Sequence, residues 1–139
     1  MPTQEQAKLI QRYSTEVWGQ GNLDAIDEIF TQDRIRHGPD LEGTSQGAQG
    51  HKELVTLYRT AFPDVQIPIE AMVGEGDIVL TRWAATGTNE GPLRGAAPTG
   101  RPVRIFGFWM HRFEGSRIAE EWATWDTQGM LQQIGVSIP

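Results

Sequence analysis

Residues 103–125, VRIFGFWMHRFEGSRIAEEWATW, read as two long strands joined by a tight turn. The runs Val103–Phe113 and Arg117–Trp125 are rich in β-branched and aromatic residues and contain no proline, and Glu114-Gly115-Ser116 supplies the glycine of a short hairpin. Upstream, Ile78–Thr88 has the same character and is separated from Val103 by a Gly- and Pro-rich loop, Asn89 to Pro102. These three runs are therefore expected side by side and antiparallel. Large apolar groups occur on both strand parities: Trp83 and Leu80, Trp109 and Phe108, Trp125 and Trp122. A sheet wet on one face alternates more cleanly. The second apolar face implies a pocket, a subunit contact, or both.

Toward the N-terminus the period lengthens from about 2 to about 3.6. Thr3 and Gln6 have the spacing of a capping box, and Ala7, Ile10, Tyr13 and Val17 form one buried stripe. Gly19 and Gly21 end that helix, and Asn22 can cap a second one carrying Leu23, Ile26, Ile29 and Phe30. Asp33 to Gln49 reads as a loop. A third helix presents Leu54, Leu57, Tyr58, Ala61 and Phe62 inward, and Pro63 helps to end it. Val65, Ile67 and Ile69 then alternate as a strand, with Pro68 marking an edge, and Gly74-Glu75-Gly76-Asp77 is a turn. A short helix near Thr127–Ile134 closes the chain, with Asp126 placed to cap it. Helices followed by a meander of long strands make an α+β fold, and residues 1–139 form a single domain.

The composition narrows the function. The chain has 139 residues, no cysteine and a net charge of −6, which excludes a disulfide framework and thiolate metal sites. An acidic chain with scattered arginines lacks the positive field of a nucleic-acid binder. No apolar run is long enough to span a bilayer. The start, MPTQEQAKLIQRY, has no secretory pattern, so the cytoplasm is the expected location. The three histidines are far apart in sequence, and there is no metal motif, phosphate loop or nucleophile elbow. The expected partner is a small apolar organic molecule, with a second copy of the chain as a homodimer; no cofactor is expected.

The segments 81–88 (TRWAATGT), Gly95, 98–101 (PTGR), 117–122 (RIAEEW), Asp126, Gly129 and 131–135 (LQQIG), with 17–24 (VWGQGNLD), His37 and 61–64 (AFPD), resemble the SnoaL-like polyketide cyclases in order and spacing. These are a branch of the nuclear transport factor 2-like superfamily. The resemblance implies a curved antiparallel sheet wrapped around N-terminal helices to form a cone with one pocket. It also implies an intramolecular aldol closure run without metal or cofactor, by an acid on the last strand and a histidine on the strand before it. Registered on the last hairpin, those two positions are Ala123 and Trp109 in this chain.

Ring closure or isomerisation needs a base at an acidic C–H and a donor at the developing enolate. His111 shares a strand face with Trp109, and Glu121 shares one with Ala123. His37, in the setting His37-Gly38-Pro39-Asp40, matches a position that is commonly histidine in the family. The candidate catalytic residues are therefore His37, His111 and Glu121. Tyr13, Trp18, Trp83, Trp109, Ala123 and Trp125 are the candidate substrate-binding residues. On the bland reading, His111 and Glu121 pair with Arg112 or Arg117 at a solvated rim, Tyr13 is core and Asp40 caps a turn. Two further functions stay open: a non-catalytic binding protein, and a hydrolase using an acid–arginine pair, for which the sequence offers no placement.

Overall fold

The structure is a computed structural model describing residues 1–39 and 42–137. Thr3 Oγ1 accepts from the Gln6 backbone N–H while Gln6 Oε1 accepts from the Thr3 N–H, so the expected capping box opens α1 (Gln4–Arg12). Beyond Arg12 the helix widens into a π-helical segment, Tyr13–Gly19, which buries Tyr13, Ser14, Val17 and Trp18 together. Asn22 Oδ1 accepts from the Ala25 N–H at the start of α2 (Asp24–Ile29).

The segment from Phe30 onward departs from the sequence expectation. Phe30 opens a strand, β1 (Phe30–His37), and the supposed loop also contains β2 (Thr44–Gln46) and the start of α3 (Ala48–Ala61). Gln66 makes an isolated bridge to Thr86, and continuous pairing begins only after Pro68, which has no N–H to give. The remaining elements are β3 (Ile69–Glu75), β4 (Ile78–Thr88), β5 (Pro102–Glu114), β6 (Arg117–Trp125) and α4 (Thr127–Ile134). Asp126 Oδ1 accepts from the Gly129 N–H at 2.8 Å and caps α4 as expected.

The strands form one six-stranded sheet in the order β2-β1-β6-β5-β4-β3. The β1–β6 pair is parallel and the other pairs are antiparallel. Thus the first half of the chain is stitched to the last strand. The sheet is curved, and its inner face holds Val79, Trp83, Trp109, His111, Phe113 and Ile118, packed against the helices. Its outer face leaves Val73, Leu80, Phe106 and Phe108 exposed.

One irregularity sets the site. Phe113 pairs with Ile118 but Arg112 pairs with Glu120, so the register shifts by one residue at Ala119. Strict alternation from the inward Ile118 would send Glu120 in and Glu121 out. The bulge reverses this, and Glu121 enters the core beside its cross-strand partner His111.

Candidate functional site

Two layers lie on the inner face. The first is a cavity walled by Trp18, Tyr58, Phe62, Ile67, Trp83, Val103, Trp109, Trp125 and Met130. Trp83 packs on Trp109 and Trp125 with ring centroids 5.6 and 5.9 Å apart, and Tyr58 meets the edge of Trp125 at 5.8 Å. Water centres can reach about 60 Å³ of it, room for a few waters. Tyr58 is the one titratable side chain on this wall among the described residues. The indole N–H groups of Trp18, Trp83 and Trp125 are buried and have no acceptor among the described residues.

Behind the wall lies a polar network. Glu121 Oε1 accepts from Arg36 Nε at 2.7 Å and from the Tyr13 hydroxyl at 3.0 Å, and its Oε2 accepts from His111 Nε2 at 2.7 Å. The Tyr13 oxygen also lies 2.9 Å from His51 Nε2. The Tyr13 proton is committed to Glu121, so His51 donates from Nε2 and its Nδ1 is unprotonated. On the other side, Arg36 Nη1 donates to Glu42 Oε1 at 2.7 Å, and the Tyr58 hydroxyl donates to Glu42 Oε2 at 3.0 Å. A continuous path of hydrogen bonds therefore runs from Tyr58 on the cavity wall, through Glu42 and Arg36, to Glu121.

The two carboxyl groups that share Arg36 are driven in opposite directions. Burial alone would raise Glu121, but the Arg36 charge and the His111 hydrogen bond outweigh it and push the pKa down to about 2. For Glu42 burial dominates, only partly offset by Arg36, and the pKa rises above the ordinary carboxylate value. Burial also depresses His51 to about 3, raises Tyr13, and together with Glu42 raises Tyr58.

The structure distributes the sequence-derived candidates over three places. Trp18, Trp83, Trp109 and Trp125 stand on the cavity wall. Tyr13, His111 and Glu121 are fully buried behind it, Tyr13 with its ring 4.8 Å from that of Trp109. Ala123 is buried and pairs with Trp109 in the ladder without lining the cavity. The rim pairing of Glu121 with Arg112 or Arg117 gives way to Arg36, because the bulge turns Glu121 inward. His37 sits on the outer face, since strand alternation buries Arg36 and sends its neighbour the other way. There it stacks on Trp122 at 5.2 Å and contacts Glu120 Oε2 at 2.6 Å, away from the cavity. Arg82 is likewise outside, 3.4 Å from Glu70. Asp40 lies outside the described residues.

Arg36, Glu42, His51 and Tyr58 were missing from the sequence-derived set. Arg36–Glu121 is the acid–arginine pair that the sequence could not place, and it sits behind the cavity wall. Among the described residues no cluster of three His, Asp or Glu side chains could hold a metal, and no helix is long and apolar enough to cross a membrane.

Known structures share this architecture. A SnoaL-like polyketide cyclase candidate from Jannaschia sp. CCS1 superposes with a TM-score of 0.87 at 20% identity, over 96% of this chain and 94% of the other. IdmH of Streptomyces antibioticus, a candidate polyketide cyclase, gives 0.82 at 29% identity over 96% and 100%. AclR of Streptomyces galilaeus, a candidate hydroxylase, gives 0.81 at 24% identity over 97% and 98%. No curated protein sequence matches the chain. The SnoaL-like polyketide cyclase family matches residues 8–134, nearly the whole length, and the chain belongs to that family.

Proposed function

We propose that this protein is a cofactor-independent acid–base enzyme of the cyclase or isomerase type, taking an apolar, ring-containing small molecule into the tryptophan-walled cavity. The observation that carries the proposal is the Tyr58–Glu42 pair. Paired titratable groups whose environments push their pKa values apart mark acid and base assignments. Here Arg36 separates a carboxylate held ionised, Glu121, from one that burial makes easier to protonate, Glu42. When Glu42 takes up a proton, its O–H donates to the Tyr58 oxygen, and the phenol proton turns toward the cavity. A substrate carbonyl placed there accepts it as enolate charge develops, in a site where few waters compete. Glu121, with His111 and Tyr13, fixes Arg36 and so holds the pair in place.

The likeness to IdmH, at 29% identity, supports the cyclase side of this reading. The second reading, a binding protein, is favoured by Ala123 and Trp109 standing where the cyclases carry acid and histidine. In both readings the outer face, with Leu80, Phe106 and Phe108, receives a second copy of the chain.

A bicyclic ketone with an acidic C–H, β-tetralone, tests this. Binding is read by quenching of tryptophan fluorescence and enolisation by deuterium uptake at the α carbon in NMR. The expected result is quenching together with exchange above buffer background, the exchange falling at least about tenfold in Tyr58→Phe and Glu42→Gln. Quenching without enhanced exchange selects the binding protein. Absence of quenching removes the pocket reading altogether.

A further inference from the structure

The loop between β4 and β5 is built with unusual care. Asn89 is fully buried, donates from Nδ2 to Gly91 O at 3.0 Å and accepts from the Thr99 N–H at 2.9 Å. Gly91 presses against the Thr60 carbonyl so closely that a side chain there would collide with the backbone of α3. Leu93 is buried, and its N–H and carbonyl bond to Ala96 at 3.0 and 2.8 Å, closing a four-residue turn.

At the centre of that turn stand Arg94 with φ 48° and Gly95 with φ 86°. Two positive φ values in succession are the mark of a type I′ turn, in which Gly, Asn or Asp normally occupies both positions. Arg94 is the one non-glycine residue with positive φ among the described residues. The strain follows from a large side chain where a small one fits at no cost. What the chain gains is a guanidinium fixed beside α3. It lies against the Tyr58 phenol, where its charge and its hydrogen bonding oppose the effects of burial and Glu42. No carboxylate of the described residues pairs with it. Arg94 also borders an open groove along α3 with Leu57, Thr60 and Pro92. It therefore stands between the cavity wall and solvent.

We infer that Arg94 is a specificity-determining residue that recognises an anionic substituent, a carboxylate, on a ligand whose apolar rings occupy the tryptophan-walled cavity. The inference rests on the proposed use of that cavity and adds the substrate class: apolar ring systems bearing an acid group. A guanidinium offers a planar fork of donors that matches a carboxylate. On a chain of net charge −6, a fixed cation is also what an anionic ligand needs in order to approach.

The test uses naphthoate and its neutral isostere naphthamide, with binding followed by tryptophan fluorescence in the wild type, Arg94→Gly and Arg94→Lys. Glycine suits the positive φ, so Arg94→Gly removes the charge without straining the turn. The wild type should prefer naphthoate by about tenfold, the scale of one partly exposed charge-assisted hydrogen bond. Arg94→Gly should erase that preference while leaving naphthamide affinity unchanged, and Arg94→Lys should keep part of it. Equal binding of the two probes by the wild type, or a preference that survives in Arg94→Gly, overturns the inference and leaves the cavity reading intact. If neither probe binds, the cavity reading fails and the inference falls with it.

Discussion

The hydroxyl of Tyr13 and the carboxylate of Glu121, 108 residues apart in the chain, meet at 3.0 Å in the core. Arg36 and His111 converge on the same carboxylate, so one buried anion ties the first helix, the first strand and both strands of the last hairpin together.

Glu121→Gln should therefore destabilise the protein at neutral pH by about 3–5 kcal/mol, because it leaves the buried Arg36 short of its counter-charge. The folded pKa of about 2 lies below the ordinary value of 4.5, so this stabilisation is full above pH 4.5 and is lost as pH falls toward 2. Urea denaturation at pH 7 and pH 3 should show the gap between wild type and variant closing at the lower value. A gap of equal size at both would contradict the ionised, paired state of Glu121.

His51 titrates in a higher window. Its folded pKa of about 3 against 6.5 in the unfolded chain means that the unfolded state takes up the proton first. Its contribution is complete above pH 6.5 and declines as pH falls. Between pH 6.5 and 5 the wild type should lose about 2 kcal/mol through this group alone. His51→Gln, which keeps a donor for Tyr13, should show a shallower acid slope. Parallel slopes for the two proteins would place the titration elsewhere.

Ala123→Asp puts a carboxyl group beside Trp109 at a buried position on the inner parity. Burial raises its pKa above about 3.9, so the variant should lose about 1–3 kcal/mol at pH 7.5 and less at pH 4. The cost appears once pH exceeds the unfolded pKa and fades below it. A carboxyl pKa near 3.9 by NMR, with equal stability at both pH values, would mean that residue 123 faces water.

Gly107 lets the Trp83 indole lie against the backbone of β5. A methyl group there would stand 2.6 Å from Trp83 Cζ2 and 2.5 Å from the Thr124 carbonyl oxygen. Gly107→Ala should cost about 1–3 kcal/mol and push the indole into the cavity, weakening β-tetralone quenching. Unchanged stability and quenching would show that the wall is soft at this point.

The exposed phenylalanines of the outer face give the last expectation. Light scattering should report about twice the chain mass of 15.5 kDa, and Phe106→Glu with Phe108→Glu should halve it. A wild type that runs as a monomer at high concentration would remove the second copy from that face.

The strands were legible because their patterns are strong: Trp83, Trp109 and Trp125 lie inside, and Leu80 and Phe108 outside, as alternation requires. The capping pair Thr3–Gln6 and the cap at Asp126 were equally readable, since both are local. What stayed hidden was non-local. In β1, Arg34 and Arg36 are the buried residues and Ile35 the less buried one, an inversion of the usual pattern. Only the facing carboxylates make such burial affordable, and nothing near residue 36 announces a partner at residue 121. The bulge at Ala119 was invisible for the same reason, because a register shift belongs to two strands together. Tyr58 had the spacing of a core residue, and only the fold shows its hydroxyl on Glu42. The alternating charge Arg34, Arg36 after the apolar Phe30 was the one signal that could have suggested a strand there.

The parallel join between β1 and β6 also bears on how the molecule is made. Synthesis proceeds from the N-terminus, so Tyr13, Arg36 and His51 all leave the ribosome well before Glu121. Until the final hairpin arrives, β1 has no neighbour on its β6 side, and a guanidinium destined for the interior has lost half of its counter-charge. The nascent chain can form helices early, but it cannot close its core around them. Commitment to the native state waits for the last two dozen residues, and a chain stalled before them would present Trp18 and Phe30 to chaperones rather than to a sheet.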